Sequence, residues 1–526
     1  MILVSSSPKD ALKIFQPFLP ISAPIGAASL VAVAERDGLP VRFVDEQVER
    51  GDPLKLICRL AEELEPPRIF GFSVLTASYR RALTVAQQLK DIYPDSVTCF
   101  GGPHPTAVPD AVLAHPQVDL VVRGEGEAIF SELYRRIKSR SSLDGLAGVS
   151  RRCGDQIVHG PAPELVLDLD SLPRFPYHYF AKEPYDLGFI MTSRGCPYRC
   201  IFCSNRVTTG KRYRFRNCEA VLEDLALLSG RYGQRHINFL DDNFLVDKNR
   251  VYQLIEGIRR LGLDKKTAFS FQARGDNVDR ELFRELRAAN FQSVFFGLET
   301  ASEELMKVLQ KGETVAQCRE AVRVVKELGF IVNATFIFAL PGETHADRMN
   351  CARMSQALNL DLVRFNNATP YPGTRLFQMA QEEGRLRVQG EYDNFCSVST
   401  FIENPFRKIP LSYVPPGSTE PEIRYDILFS YLAFYLNWRR LKKIFSKPDT
   451  NAGWFVAGKG LWQFFKKVPA LVVLVLLMAV KFAELFFGVL RGKNTKLTFR
   501  EMFGLLLWPG EETSPKGNRP SETSKQ

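Results

Sequence analysis

Met191-Thr-Ser-Arg-Gly-Cys196-Pro-Tyr-Arg-Cys200-Ile-Phe-Cys203-Ser-Asn205 sets three cysteines at CxxxCxxC spacing directly after an apolar run. Three thiolates within eight residues can hold one metal centre. A four-iron cluster normally takes four Cys thiolates; the local sequence supplies three, which leaves one iron open to a substrate or cofactor. Cys196, Cys200 and Cys203 are therefore the expected metal ligands and the expected catalytic centre. Structural zinc would need four ligands, usually in two pairs, and no second pair follows at a suitable distance. A disulfide framework finds no support: the other seven cysteines, at 58, 99, 153, 218, 318, 351 and 396, are scattered, and no secretory signal is evident.

From Leu187 onward a strand-then-helix rhythm repeats six times, with strands expected at 188–193, 236–240, 267–273, 292–298, 330–338 and 361–368. Six such units suggest a partial, open (β/α)6 barrel spanning 187–385, in which chemistry collects at the carboxyl ends of the strands. Polar residues fall at each of those ends. The first strand leads to the cysteines, the second to Asp241-Asp242-Asn243-Phe244, the third to Gln272-Ala-Arg274 and the fourth to Gly297-Leu-Glu299-Thr300. The fifth runs into Leu340-Pro341-Gly342-Glu343-Thr344, the sixth into Asn366-Asn367-Ala-Thr369. Taken alone, the fifth also reads as a helix-start turn.

Residues 1–140 alternate apolar runs with amphipathic stretches, which predicts α/β structure with a parallel sheet covered on both faces. Strands are expected at Ile2–Val4, Val41–Val44, Ile69–Phe72, Val97–Phe100 and Leu120–Val122, in a Rossmann-like or flavodoxin-like arrangement. In such sheets ligands sit outside the carboxyl ends of the strands. Those ends carry Ser73 and Thr76, then Gly101, Gly102 and His104, then Gly124, Glu125 and Gly126. Small residues there admit a large planar or phosphate-bearing ligand; the same residues suit ordinary tight turns. Residues 141–186, with a short strand pair followed by five prolines, read as a linker.

The cysteine spacing, with Phe202 just before the last Cys, closely resembles that of radical SAM enzymes. The preceding GGPHPT and RGEGE segments resemble the cobalamin-binding domain of the cobalamin-dependent class. The resemblance covers residues 1 to about 385 and implies a 4Fe-4S cluster, S-adenosyl-L-methionine (SAM) and cobalamin. It implies that Phe202, Asp241, Asp242, Asn243, Arg274, Glu299, Pro341 and Gly342 surround SAM. It also implies that Ser73, Thr76, Gly101, Gly102, His104, Gly124, Glu125 and Gly126 line the corrinoid. Asp45-Glu-Gln-Val-Glu-Arg-Gly51 stands where a DxHxxG motif would supply an axial histidine and contains no His. His104 is expected to hydrogen-bond rather than ligate metal.

The mechanism implied is reductive cleavage of SAM to a 5′-deoxyadenosyl radical, hydrogen abstraction from an unactivated carbon, and methyl delivery from methylcobalamin. A reductant such as ferredoxin or flavodoxin supplies the electron. The expected activity is methylation of an sp3 carbon in a hydrophobic substrate. One alternative is ring formation of the anaerobic protoporphyrin ester cyclase type. Another is a non-catalytic corrinoid- or nucleic-acid-binding protein. The charge distribution opposes nucleic acid: the formal +10 resides wholly after Trp438, where 16 Lys+Arg face 6 Asp+Glu, and residues 1–437 are neutral. Six histidines, none at paired spacing, give acid–base hydrolysis no support.

Residues 386–509 read as helical. All four tryptophans lie there, beside Lys/Arg and the apolar run Val468–Leu490. That composition predicts contact with an anionic membrane surface, on the inner face of the cytoplasmic membrane, rather than a span, because Lys481 and Glu484, which at i and i+3 could pair, interrupt the run; the alternative is a helical C-terminal subdomain with an apolar seam and a solvated basic face. Residues 510–526 are polar and rich in Pro, Ser and Lys, and disorder is expected for them.

Overall fold

The computed structural model describes residues 1–7, 21–49, 51–182, 184–397 and 409–436, and in the tail residues 472, 476, 479–492 and 496–507. The four tryptophans and the polar 510–526 segment lie outside the described residues, as do the expectations attached to them.

The N-terminal sheet contains β1 (Ile2–Ser5), β2 (Arg42–Asp45), β3 (Ile69–Ser73), β4 (Val97–Gly101), β5 (Leu120–Val122), β6 (Val149–Cys153) and β7 (Gln156–His159). Their spatial order is β2-β1-β3-β4-β5-β6-β7. The first five strands are parallel, and 2-1-3-4-5 is the flavodoxin-like order, with its switch point between β1 and β3. Alternation along each strand sends Val4, Phe72, Phe100 and Val121 to one face, and Leu3, Ile69, Cys99 and Leu120 to the other. Both faces are buried, which is why these strands read as continuous apolar runs. The strand pair expected within the linker is present, but it extends the sheet edge antiparallel to β5.

The second sheet contains β8 (Phe189–Ile190), β9 (His236–Phe239), β10 (Ala268–Ala273), β11 (Phe291–Glu299), β12 (Ile331–Phe338) and β13 (Leu362–Asn367), all parallel and in sequence order. It is open: β8 and β13 are its edges. Phenylalanine fills its interior, with Phe239, Phe244, Phe269 and Phe271 all touching Phe291 at ring-centroid distances of 5.0–5.8 Å.

The helix Glu420–Tyr435 lies along the β13 edge and uses tyrosine hydroxyls to satisfy it. Tyr435 accepts from the Val363 N–H at 3.2 Å and donates to its carbonyl at 2.8 Å, while Tyr431 accepts from the Phe365 N–H at 3.1 Å. Covering an edge in this way prevents further strand pairing. Beneath the helix a buried network ties it to the sheet. The wholly buried Arg348 donates to Asp426 at 2.6 Å and to Glu343 at 3.3 Å, and His345 bonds Asp426 at 2.9 Å. Leu485, Val489, Met502 and Leu505 pack on its outer side against Leu428, Phe429 and Leu432. The described part of the tail is thus a helical layer with an apolar seam. Lys481 and Glu484 form the expected i,i+3 pair at 2.7 Å. Among the described residues no helix is long and apolar enough to cross a membrane.

Candidate active site

The cysteine loop begins where β8 ends and is held at its middle by Ile201, which is buried: its N–H donates to Leu309 O at 3.1 Å and its carbonyl accepts from Leu376 N–H at 2.9 Å. An apolar residue between the second and third cysteines therefore plugs the loop into the core while leaving the thiols half-buried. Phe202 packs against the same core. The backbone N–H of Tyr198 points to Cys196, and those of Asn205 and Arg206 point to Cys203. Burial raises all three thiols, Cys200 to about 11; Lys311 and Arg274 oppose it at Cys200, the Tyr198 N–H and Arg274 at Cys196, and the backbone N–H groups of Asn205 and Arg206 at Cys203. Among the described residues no three His, Cys, Asp or Glu side chains stand at metal-ligand spacing. The triad is brought to one loop but is not gathered into a ligand set. Its chemistry fits an iron–sulfur cluster: three thiols, N–H donors aimed at sulfur, and two nearby cations.

Around this loop the structure gives several of the expected SAM residues other partners. Asp241 is fully buried; its carboxylate accepts from the Thr192 N–H at 2.6 Å, the Ser193 N–H at 2.9 Å and the Thr192 hydroxyl. Those bonds make Asp241 position the entry to the cysteine loop. Asn243, also buried, donates to Asn277 at 2.7 Å, which reaches Tyr198 at 3.1 Å. It too braces the loop. Arg274 lies 3.5 Å from the Tyr198 ring centroid and is held by Asp276 at 2.9 Å and by the Lys311 carbonyl at 2.6 Å. Glu299, at the end of β11 with φ 61°, pairs with the buried Lys311 at 3.2 Å, which also bonds Glu313 at 2.7 Å. By contrast Asp242 is exposed and accepts from Asn205 beside Cys196 and Cys203. At the β12 end, Pro341 is buried, and Gly342, with φ 78°, is exposed with open space around it. The helix-start reading of that turn also holds, since Thr344 caps the following helix. Asp241→Asn is expected to weaken the loop by roughly 1–3 kcal/mol, the cost of an impaired buried acceptor, and to lower iron retention after gel filtration.

The strand ends of the N-terminal sheet face the same loop. The turn Pro103–Ala107 packs on Asn205–Thr209. A Cβ on Gly373, after β13, would lie 2.9 Å from Val207 and 3.3 Å from Ala107. His104 is buried, bonded to Thr76 at 3.3 Å and packed at a tilt on the Tyr79 ring at 4.2 Å, and burial lowers it to about 4. It is a hydrogen-bonding residue, as expected. Gly102, with φ 107°, admits the Val74 backbone, which a Cβ would approach to 2.8 Å; Gly124 likewise makes room for Pro163. At both positions the missing side chain serves loop packing. Gly101 and Gly126 have ordinary van der Waals room, and Ser73 closes β3 half-buried. Sequence reasoning missed Leu75, 57 % exposed on the loop after the central strand β3. A large apolar side chain left in water at a ligand-binding strand end fits contact with a corrinoid ring. Its signal in the sequence is a leucine following the core residue Val74 just after β3, in a turn whose other residues are small.

The Glu125 carboxylate takes both Nη atoms of Arg214, at 2.7 and 2.8 Å, and the Val166 N–H at 2.9 Å, so it ties the loop after β5 to the short strand Arg214–Phe215 that follows the cysteine loop. Burial pushes the carboxyl up, yet Arg214 and Arg194 together hold it below the usual range. A folded-state pKa below the unfolded one gives stability that is present above the ordinary Glu value and lost as pH falls through the depressed value. The difference in urea midpoint between the wild type and Glu125→Gln is therefore expected to shrink below about pH 4.

The Radical SAM superfamily description matches residues 190–354, and the B12 binding domain description matches residues 17–134. An uncharacterized methyltransferase of Pyrococcus horikoshii is 32% identical over 429 residues, 80% of this chain and 89% of the relative. The hopanoid C-3 methylase of Methylococcus capsulatus is 28% identical across 70% of each chain. The anaerobic magnesium-protoporphyrin IX monomethyl ester cyclase of Cereibacter sphaeroides is 26% identical across 75% of this chain and 64% of its own. Among solved structures, the radical SAM methyltransferase TsrM of Kitasatospora setae, with cobalamin and a [4Fe-4S] cluster bound, aligns with TM-score 0.61 at 22% identity, covering 74% of this chain and 79% of that one. The cobalamin-dependent SAM radical enzyme OxsB aligns with TM-score 0.65 at 17% identity, covering 96% and 82%. With both family descriptions in place on the two sheets and a relative matched over most of its length, the chain belongs to the cobalamin-dependent radical SAM enzymes, whose cofactors are a 4Fe-4S cluster, SAM and cobalamin.

Proposed function

We propose that the protein is a methyltransferase that moves a methyl group from SAM, through cobalamin, to an sp3 carbon of a hydrophobic substrate. The observation that carries this reading is the extended match to a chain named as a methyltransferase, covering 89% of that relative and 80% of this chain. The hopanoid C-3 methylase supports a hydrophobic substrate. When bound, the cluster supplies the electron that cleaves SAM, and cobalamin supplies the methyl carrier. The chain's own part is placement. Cys196, Cys200 and Cys203 would hold the cluster; Asp241, Asn243 and Arg274 hold the loop that presents them; Glu299 and the Pro341-Gly342 turn would meet SAM; Leu75 and Thr76 would meet the corrinoid. Packing of Pro103–Ala107 on Asn205–Thr209 keeps the two centres together and excludes water between them.

The cyclase relative favours a second reading, oxidative ring formation. Anaerobically purified protein loaded with iron, sulfide and cobalamin, reduced by flavodoxin or ferredoxin, separates the two. Methylation releases S-adenosylhomocysteine and 5′-deoxyadenosine, whereas ring formation releases 5′-deoxyadenosine without S-adenosylhomocysteine.

The same reading places the enzyme in the cytoplasm, against the inner face of the membrane, where a hydrophobic substrate is found. Val472, Leu476, Val480, Phe487 and Leu490 are exposed at helical spacing, and the tail that carries them holds the whole net charge of +10. The protein is expected to sediment with anionic vesicles, to be released by salt, and to ignore zwitterionic vesicles.

A further inference from the structure

Four buried charges join the cysteine loop to the N-terminal sheet. Ser193–Arg194 and Arg214–Phe215 form a short antiparallel pair that closes the base of the loop, with Arg194 directly opposite Arg214. Like charges opposite one another destabilise such a pair, and burying them unpaired costs more. Both guanidinium groups are met from the loop after β5, where Glu125 and Glu127 stand two residues apart. Arg214 grips Glu125 with both Nη atoms; Arg194 lies 2.7 Å from Glu127 and 3.4 Å from Glu125. The four charges sum to zero, and none of the side chains is more than 16% exposed. Arg194 stands two residues before Cys196. Between them Gly195 turns at φ 85°, where a Cβ would strike the Arg212 carbonyl at 2.3 Å. The direction of the loop is therefore fixed immediately after the clasp.

We infer that Glu125, Glu127, Arg194 and Arg214 are positioning residues, a charge clasp that sets the cysteine loop against the strand ends of the corrinoid-binding sheet. The clasp thereby fixes the separation across which a substrate radical must reach the methyl donor, so it deepens the methyl-transfer reading and rests on it. A generic inter-sheet adhesive could lie anywhere on the interface. This one closes the loop that carries the three thiols. The exposed Arg80–Asp393 pair, at 2.7 Å, joins helix Tyr79–Ile92 to residues beyond β13, takes no part in the clasp, and serves as the control.

The test compares Glu125→Gln, Arg214→Met, Arg214→Lys and the control Asp393→Asn in the loaded, full-length protein. The first two are expected to speed amide exchange across residues 193–216 by about tenfold or more, and to raise 5′-deoxyadenosine formed per S-adenosylhomocysteine by about tenfold. Arg214→Lys, which keeps the charge and loses the two-toothed grip, is expected to fall between, and Asp393→Asn to match the wild type. Unchanged exchange in Glu125→Gln and Arg214→Met overturns the clasp. Faster exchange with an unchanged product ratio reduces the four residues to adhesion and overturns the positioning role. Should Arg214→Met not fold, Arg214→Lys and Glu127→Gln carry the same comparison. A wild type that makes no S-adenosylhomocysteine removes the methyl-transfer reading and leaves the exchange comparison intact.

Discussion

Cys200→Ala is expected to reduce SAM cleavage to the background of cluster-free protein while leaving the circular dichroism unchanged. The loop offers three thiols for a cluster, and the loss of one leaves two, with no nearby replacement. Cys318, another thiol close to Lys311, is wholly buried, pushed up by burial and packed on Gly275. The fold should survive because Cys200 is only half-buried and the loop's core anchor is its neighbour Ile201. Iron content, the cluster's visible absorbance and 5′-deoxyadenosine formation check the result; retention of both iron and cleavage would remove Cys200 from the ligand set.

Arg348→Met is expected to destabilise the protein by about 3–5 kcal/mol, the cost of leaving a buried charge without its partner. Arg348 is fully buried between Glu343 and Asp426, whose side chains are fully buried too. Methionine fills much of the volume but takes the guanidinium from two buried carboxylates, leaving Asp426 with His345 and Glu343 with no cation among the described residues. Burial already pushes Glu343 up to about 8 against the pull of Arg348. Without that pull the folded-state value rises further above the unfolded one, so stability is lost as pH rises through it. The deficit should deepen from pH 6 to pH 9. Urea unfolding at the two pH values measures it, and amide exchange should show helix Glu420–Tyr435 loosening from the β13 edge first. A loss below about 1 kcal/mol would mean that the network is solvated and does not hold the C-terminal layer.

The strands of the N-terminal sheet were legible because its first five are parallel and covered on each face, so that a run such as Ile69–Phe72 is apolar throughout; those of the second sheet, such as Ile331–Phe338, were legible from the alternation of buried and half-buried residues. The site was legible by location, since polar residues after a buried parallel strand must sit at its carboxyl end. What the sequence hid was partnership. Nothing local to Asp241 shows that its carboxylate meets Thr192 and Ser193, 49 and 48 positions away, or local to Glu125 that it meets Arg214, 89 positions away. A charged residue at a strand end can face a ligand or another loop, and spacing does not distinguish the two. The C-terminal layer was half legible. The apolar helix at 420–435 is evident from composition, but that its tyrosine hydroxyls cap the β13 edge depends on a register that no local pattern encodes.

The central claim, transfer of a SAM-derived methyl group to carbon, is tested most directly with methyl-deuterated SAM. Anaerobic protein reconstituted with iron, sulfide and cobalamin, given a strong reductant and a total lipid extract, is followed by mass spectrometry. The account predicts 5′-deoxyadenosine, S-adenosylhomocysteine and a lipid carrying a trideuterated methyl group, all lost in Cys200→Ala. Formation of 5′-deoxyadenosine with a dehydrogenated or cyclised product and no deuterium would contradict it.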